Sequence, residues 1–392
     1  MVKSLFSETP SFVRLCGFVL VLSLVAASSA LAQDESGEGH KSFNVGAGSV
    51  GISFGNSAIH NGLRFNWRDS DIELINGVNF TLWKPAEQLT GTINGLAIGI
   101  VSPAAENIHG LTFGGLAVLA KKELLGVSFG GLAVVNQGLT AGVTVGGLAI
   151  VGKGSMQGIN LSGLACVAES EMTGISIGGL ALVGKGMVAG INVGGLAIVG
   201  NGGMTGLNFA GMACVSNGNV TGVNVGGLAV VGKGGLRGLN FGGLALVSEG
   251  TVRGINIGGL AVVGLEGISG LTIGGAGIVS TKEITGVNVT LGDMRGEESG
   301  EGSVVKGINI AGYRIKADEI SGFSIGGIMT RSDIAKGVLI GVYNRVTGTQ
   351  RGISIGLYNH AAELFGIQIG LLNRAENNPA FFRMLPFLNA HL

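Results

Sequence analysis

Between Gly110 and Thr285 one sixteen-residue unit repeats eleven times without insertion or deletion. Its copies open at Gly110, Gly126, Gly142, Gly158, Gly174, Gly190, Gly206, Gly222, Gly238, Gly254 and Gly270, and a twelfth opens at Gly286. Counting that glycine as the first residue, the consensus is G-[ILV]-[NTS]-[VIFL]-G-G-L-A-[VIL]-V, followed by six looser residues. A period held so strictly requires each unit to sit on its neighbour in the same way, which is the mark of a solenoid or array. It also bears on function. Catalytic sites are singular, whereas here every position recurs many times.

The first ten residues of each of the eleven exact copies carry no charge; Lys153, Glu169, Lys185, Arg237 and Glu249 all fall in the last six. Runs rich in Val, Ile and Leu between G-K-G, G-N-G and S-E-G turns indicate strands. The 76 glycines exclude helix, since each costs roughly 1 kcal/mol against alanine there. With only five prolines and no three-residue period, collagen is excluded too. The Gly-Gly at the fifth and sixth positions marks a second corner. The fold expected is therefore an all-β parallel β-solenoid of 16-residue coils, with two short strands per coil and a cap at each end. Alternation along Gly190–Thr205 proposes Ile191 and Val193, then Leu196 and Ile198, as interior, with Met204 closing the coil. Phe113, Phe129, Phe209 and Phe241 at the fourth position suit such a core. The alternative fold is an antiparallel outer-membrane β-barrel, suggested by the ten-residue apolar stretches and the apolar C-terminus. Two features weigh against it: the connections are uniform, and only one polar residue per copy would line the lumen.

The third position carries Thr144, Asn160, Ser176, Asn192, Asn208, Asn224, Asn240 and Asn256 in successive copies. Stacked in register these form a polar ladder. Facing inward, it hydrogen-bonds from rung to rung. Facing outward, it is a candidate ligand ladder for a glycan or an ice plane. The Gly-Gly corner leaves the direction open.

Residues 1–32 have the pattern of a cleaved signal peptide: Lys3 and Arg14, an apolar run from Leu15 to Ala27, then Ala30-Leu31-Ala32. A polar mobile segment (33–42) and an N-terminal cap (43–89) follow, the cap holding both tryptophans, Trp67 and Trp83. The 16-residue array spans 90–291 and a hydrophilic loop insertion spans 292–306. Shortened 14–15-residue repeats with the C-terminal cap fill 307–392. Cys166 and Cys214 occupy the ninth position of their copies, where Val, Ile or Leu stands elsewhere. They lie three coils apart, too far for a bridge, and are expected to be buried free thiols.

Three stretches imitate a phosphate-binding loop, ending at Lys153, Lys185 and Lys233, but glycine follows each lysine where Ser or Thr is needed. Gly46-Ala47-Gly48-Ser49-Val50-Gly51 resembles a dinucleotide fingerprint without a βαβ setting. The five histidines have no metal-ligand spacing. Asp69, Asp71 and Glu73 are weighed as a cation or acid–base cluster against a solvated charged loop, and the loop is preferred. No catalytic, cofactor-binding or metal residue is expected, and the chain is read as not an enzyme.

The G-[ILV]-x-[VIF]-G-G-L-A units, the terminal GIQIGLLNRAENN and the closing LPFLNAHL resemble the bacterial surface-repeat proteins first named in Leptospira, over nearly all of the chain after residue 32. The resemblance implies export, repeat architecture and association with the envelope; it carries no activity and no binding residues. The expected function is a non-catalytic exported structural or interaction surface at the cell surface, outer membrane or periplasm. Envelope components or a glycan are the expected partners. With 24 basic and 24 acidic residues, nothing points to nucleic acid.

Overall fold

The structure, a computed structural model, describes residues 42–85, 88–296 and 302–391. The segment read as a signal peptide, and the polar segment up to residue 41, lie outside the described residues. The described residues are all-β, 75% of them in strands, and their stacked parallel coils of about 16 residues form a β-solenoid of about 19 turns, not a barrel. It divides into two compact units, Met1–Gly138 and Leu139–Leu392.

In the first unit, strand Ser42–Ala47 runs antiparallel to Val50–Gly55. Every later pairing along Val50–Gly55, Ile59–Asn66, Leu74–Thr81, Thr92–Gly99, Ala104–Gly114 and Ala117–Gly130 is parallel. Their registers place Gly51, Gly62, Gly77, Gly95, Gly110 and Gly126 in one column. The segment 43–89 is thus already coiled in register with the array, and only its first strand turns back across the open edge.

In the second unit each regular coil has a long strand, such as Met187–Gly194, and a four-residue strand, such as Ala197–Gly200. Each pairs with its counterparts one coil before and one coil after. The interval 292–306 is only partly loop: Asp293–Gly296 is a strand and Val304 opens the next. The shortened repeats fuse their two strands into longer ones, Ile334–Ile355 and Tyr358–Ala375, with register shifts where residues are missing. A short 3₁₀ turn, Ala380–Phe382, leads into Met384–His391, which pairs antiparallel with Tyr358–Ala375 and covers that edge.

Burial alternates over the second half of the long strand, where Asn192 and Gly194 are buried, with a phase that corrects the expected interior. Ile191 is 40% exposed and Leu196 47%, while Asn192, Ile198 and Met204 are 0%. Ile191 and Val193 therefore face outward, and so do Phe209 and Phe241 at the fourth position, which are exposed. The inward residues are the third (Asn, Thr or Ser), the fifth, the ninth, the eleventh and the fifteenth. The interior is narrow: a Cβ on Gly194 would lie 2.3 Å from the Ala197 carbonyl oxygen across the turn. The third position carries an amide or hydroxyl inward, the branched aliphatics of the second and fourth positions face outward, and aliphatics at the ninth and fifteenth, such as Ile198 and Met204, fill the rest of the interior.

Candidate functional surface

The third-position residues form an internal ladder. Thr144, Asn160, Ser176, Asn192, Asn208, Asn224, Asn240 and Asn256 are all 0–2% exposed. A ligand arriving from solvent meets none of them, so the row is not a glycan- or ice-binding face. From Asn192 to Asn256 each Nδ2 donates to the next Oδ1 at 2.8–2.9 Å. Each bond contributes on the order of 1 kcal/mol, and leaving a buried partner unmet costs more. The run stops at Ser176, whose Oγ is unpartnered, as are both amide atoms of Asn160 and Oδ1 of Asn192. Ser176→Asn should join Asn160 to Asn192 and raise stability by about 1–2 kcal/mol. A denaturant midpoint equal to or below wild type would count against this.

At the ninth position Cys166 and Cys214 are buried free thiols. Burial pushes each thiol up to about 12, far from the thiolate form that reacts or binds metal.

In the first unit the inner column holds a charge that the sequence reading missed. Arg64, 0% exposed, donates to Asp69 at 2.8 Å, to Asn79 at 2.5 Å and to Asn56 at 2.6 Å. Asp69, 2% exposed, also accepts from Asn66 and Thr81, both at 2.8 Å. Asp69 is therefore an interior partner of Arg64 and not part of a solvated acidic loop. The signal was present: Gly62-Leu63-Arg64-Phe65 keeps the register of Gly190-Ile191-Asn192-Val193, which puts Arg64 in the ladder position. Asp69, Asp71 and Glu73 do not come together, and no cluster of three or more metal-ligating side chains occurs among the described residues. Outward on the same coils Phe54 stacks on Phe65 at 5.7 Å, Phe80 lies tilted against Phe65 at 5.8 Å, and Trp67 stacks on Trp83 at 5.9 Å. Phe54, Phe65, Phe80 and Trp67 line a shallow depression of about 390 Å³ with Gly55, Asn66 and Leu82.

Lys153, Lys185 and Lys233 lie at turns, Lys185 pairing with Glu169 of the preceding coil at 3.0 Å. The glycine after each leads into another strand, so none forms a phosphate loop.

The second unit's outer surface is divided along its length. From Val143 to Val279, positions two to ten of nine successive coils hold no charged residue. Their outward side chains form columns: Ile, Leu or Val at the second position, aliphatic or Phe at the fourth, mostly Leu at the seventh, Val at the tenth. Lys153, Glu169, Glu171, Arg237, Arg253 and the other charges of these coils are confined to positions twelve to sixteen. Nine coils at about 4.8 Å and an arc of nine residues at about 3.3 Å make an apolar band on the order of 1,000 Å². Soluble monomers rarely leave more than a few hundred Å² of contiguous apolar surface in water. The band is the feature that asks for a partner.

The chain matches no protein-family model, and no curated protein or solved structure is significantly similar to it.

Proposed function

We propose that this chain is a non-catalytic, exported structural and interaction protein of the bacterial envelope, and that its working surface is the apolar band of the second unit. The observation that carries this reading is the outward direction of the second, fourth, seventh and tenth columns. Export rests on the signal-like residues 1–32 and on the family resemblance. Membrane hydrocarbon is the occupant that suits the band. The apolar arc runs over both strands of the coil and the turn between them, so one flat partner pressed on a single strand face leaves the rest wet. A fluid apolar phase covers all of it, while the charged arc stays in water, as in an amphipathic element lying at an interface. Backbone groups do not oppose this, because successive coils satisfy each other's N–H and C=O along the stack.

Detergent phase separation tests the reading. The protein should enter the detergent-rich phase, and serine at Ile175, Ile191 and Ile255 together should move it to the aqueous phase without unfolding it, since these side chains are not interior. Recovery of the unsubstituted protein wholly in the aqueous phase, as a monodisperse species, would remove the basis for the proposal.

A further inference from the structure

After Gly286 one outward column changes chemistry. In nine successive coils its residue is valine, from Val151 to Val279. Val279 then pairs with Arg295, and the column continues through Lys316, Arg331, Arg345 and His360. Two residues earlier on the same strands runs a second outward column: Asp293, Arg314, Met329, Tyr343 and Tyr358. Of the chain's three tyrosines, Tyr343 and Tyr358 stand in this column and Tyr313 immediately precedes Arg314. Tyr343 and Tyr358 stack with centroids 5.2 Å apart and planes 12° apart, and the Arg314 guanidinium lies 5.7 Å from the Tyr313 ring centre.

Parallel register sets successive basic groups about 4.8 Å apart. Like charges held opposite one another on neighbouring strands repel, so the adjacent Arg331 and Arg345 are unfavourable unless anions gather beside them. The acidic groups around it are already engaged. Asp293 pairs with Arg295 and Arg314. Asp318 accepts from the backbone and hydroxyl of Ser303, Asp333 from Thr347. Glu376 pairs with His360 and Arg374. Among the described residues no ion pair reaches Arg331 or Arg345, and both are exposed.

We propose that this column is a binding site for an anionic polysaccharide lying along the stacking direction. Arg331 and Arg345 hold its carboxylates or sulfates, and Tyr343 and Tyr358 donate to its oxygens. The tyrosine geometry separates this class from single-stranded nucleic acid. Bases need an open ring face to stack on, and each of these rings already closes one face on the other. What they offer is ring edge and hydroxyl, and no tyrosine hydroxyl forms a hydrogen bond among the described residues. The coil register presents the cations at a fixed repeat, which lowers the ordering cost of binding an extended chain. This row faces solvent, unlike the asparagine ladder.

The test is retention of the protein on immobilised polygalacturonate and heparin, with dextran as the neutral control and oligo-dT as a competing polyanion. At low ionic strength the protein should bind at least one of the two anionic glycans, ignore dextran, and release as salt rises. The double variant Arg331→Gln/Arg345→Gln should bind at least about ten-fold more weakly at an unchanged melting temperature, because both side chains are exposed and unpaired. Lack of retention on both glycans, undiminished binding by the double variant, or tighter binding to oligo-dT than to either glycan each overturns the proposal.

Discussion

Replacing Asn192, Asn208, Asn224 and Asn240 together by aspartate should abolish the folded state of the array at neutral pH. All four side chains are 0–2% exposed, and each sits one coil from the next. Asparagine suits the row because it both donates and accepts: Asn208 takes a bond from Asn192 and gives one to Asn224. An ionised carboxylate only accepts, so every rung would set oxygen against oxygen in a dry interior. An unpaired buried charge costs several kcal/mol, and four of them exceed the roughly 5–15 kcal/mol that holds a folded domain together. Protonation restores a donor to each rung. Burial raises the folded-state pKa of these carboxyls above the unfolded value, so the penalty is absent below the ordinary carboxylate range and grows as pH rises through and above it. Circular dichroism from pH 3 to pH 8 should show β-structure at the acid end and its loss towards neutrality. A variant that stays folded at pH 8 would mean that the ladder does not face inward.

The direction of that ladder marks where the sequence could be read and where it could not. Period, strand and turn placement, and parallel stacking follow from the glycine spacing and from the confinement of charge to six residues, and the structure has them. The phase of alternation does not follow. Hydrophobicity argues for Ile191 and Val193 inside, and in an ordinary sheet that rule wins. Here it loses to geometry: Gly194 and Gly200 sit at corners with no room for a Cβ and share the inward face with the third position. Aliphatic columns through Ile198 and Met204 fill the ninth and fifteenth positions. Asn192 fills the third, because its flat amide can bond along the axis. The N-terminal coils hid for a related reason. Their lengths vary, so no fixed period shows, yet Gly62-Leu63-Arg64-Phe65 and Gly77-Val78-Asn79-Phe80 keep the local register that placed Arg64 inside. The basic column could have been found only by aligning the shortened repeats with the regular ones, since missing residues shift Arg331, Arg345 and His360 out of the sixteen-residue frame.

Gly190→Ala should be among the most destabilising single substitutions in the chain, at about 4 kcal/mol or more. Gly190 has φ +109°, and a Cβ there would lie 2.1 Å from the carbonyl oxygen of Gly174 in the preceding coil. Backbone strain of this kind alone costs about 1–3 kcal/mol in a residue with a side chain. The clash adds to it, because backbone in the stacked ladder cannot move aside without opening a rung. The same geometry recurs at Gly174, Gly206 and Gly222, so the first position admits only glycine. Gly277→Ala is the matching control. Its Cβ would meet only the Asp293 carbonyl oxygen at 3.4 Å, and alanine already stands at that position in Ala245 and Ala261. It should fall within about 1 kcal/mol of wild type, on the stabilising side, because alanine has less freedom to lose on folding. Because each coil touches chiefly its neighbours, damage at Gly190 acts on the interfaces that join the two parts of the array. Denaturation of Gly190→Ala should therefore broaden or split into two steps, while Gly277→Ala keeps the wild-type profile. A single sharp transition at the wild-type midpoint for Gly190→Ala would show that the first glycines do not stack backbone to backbone.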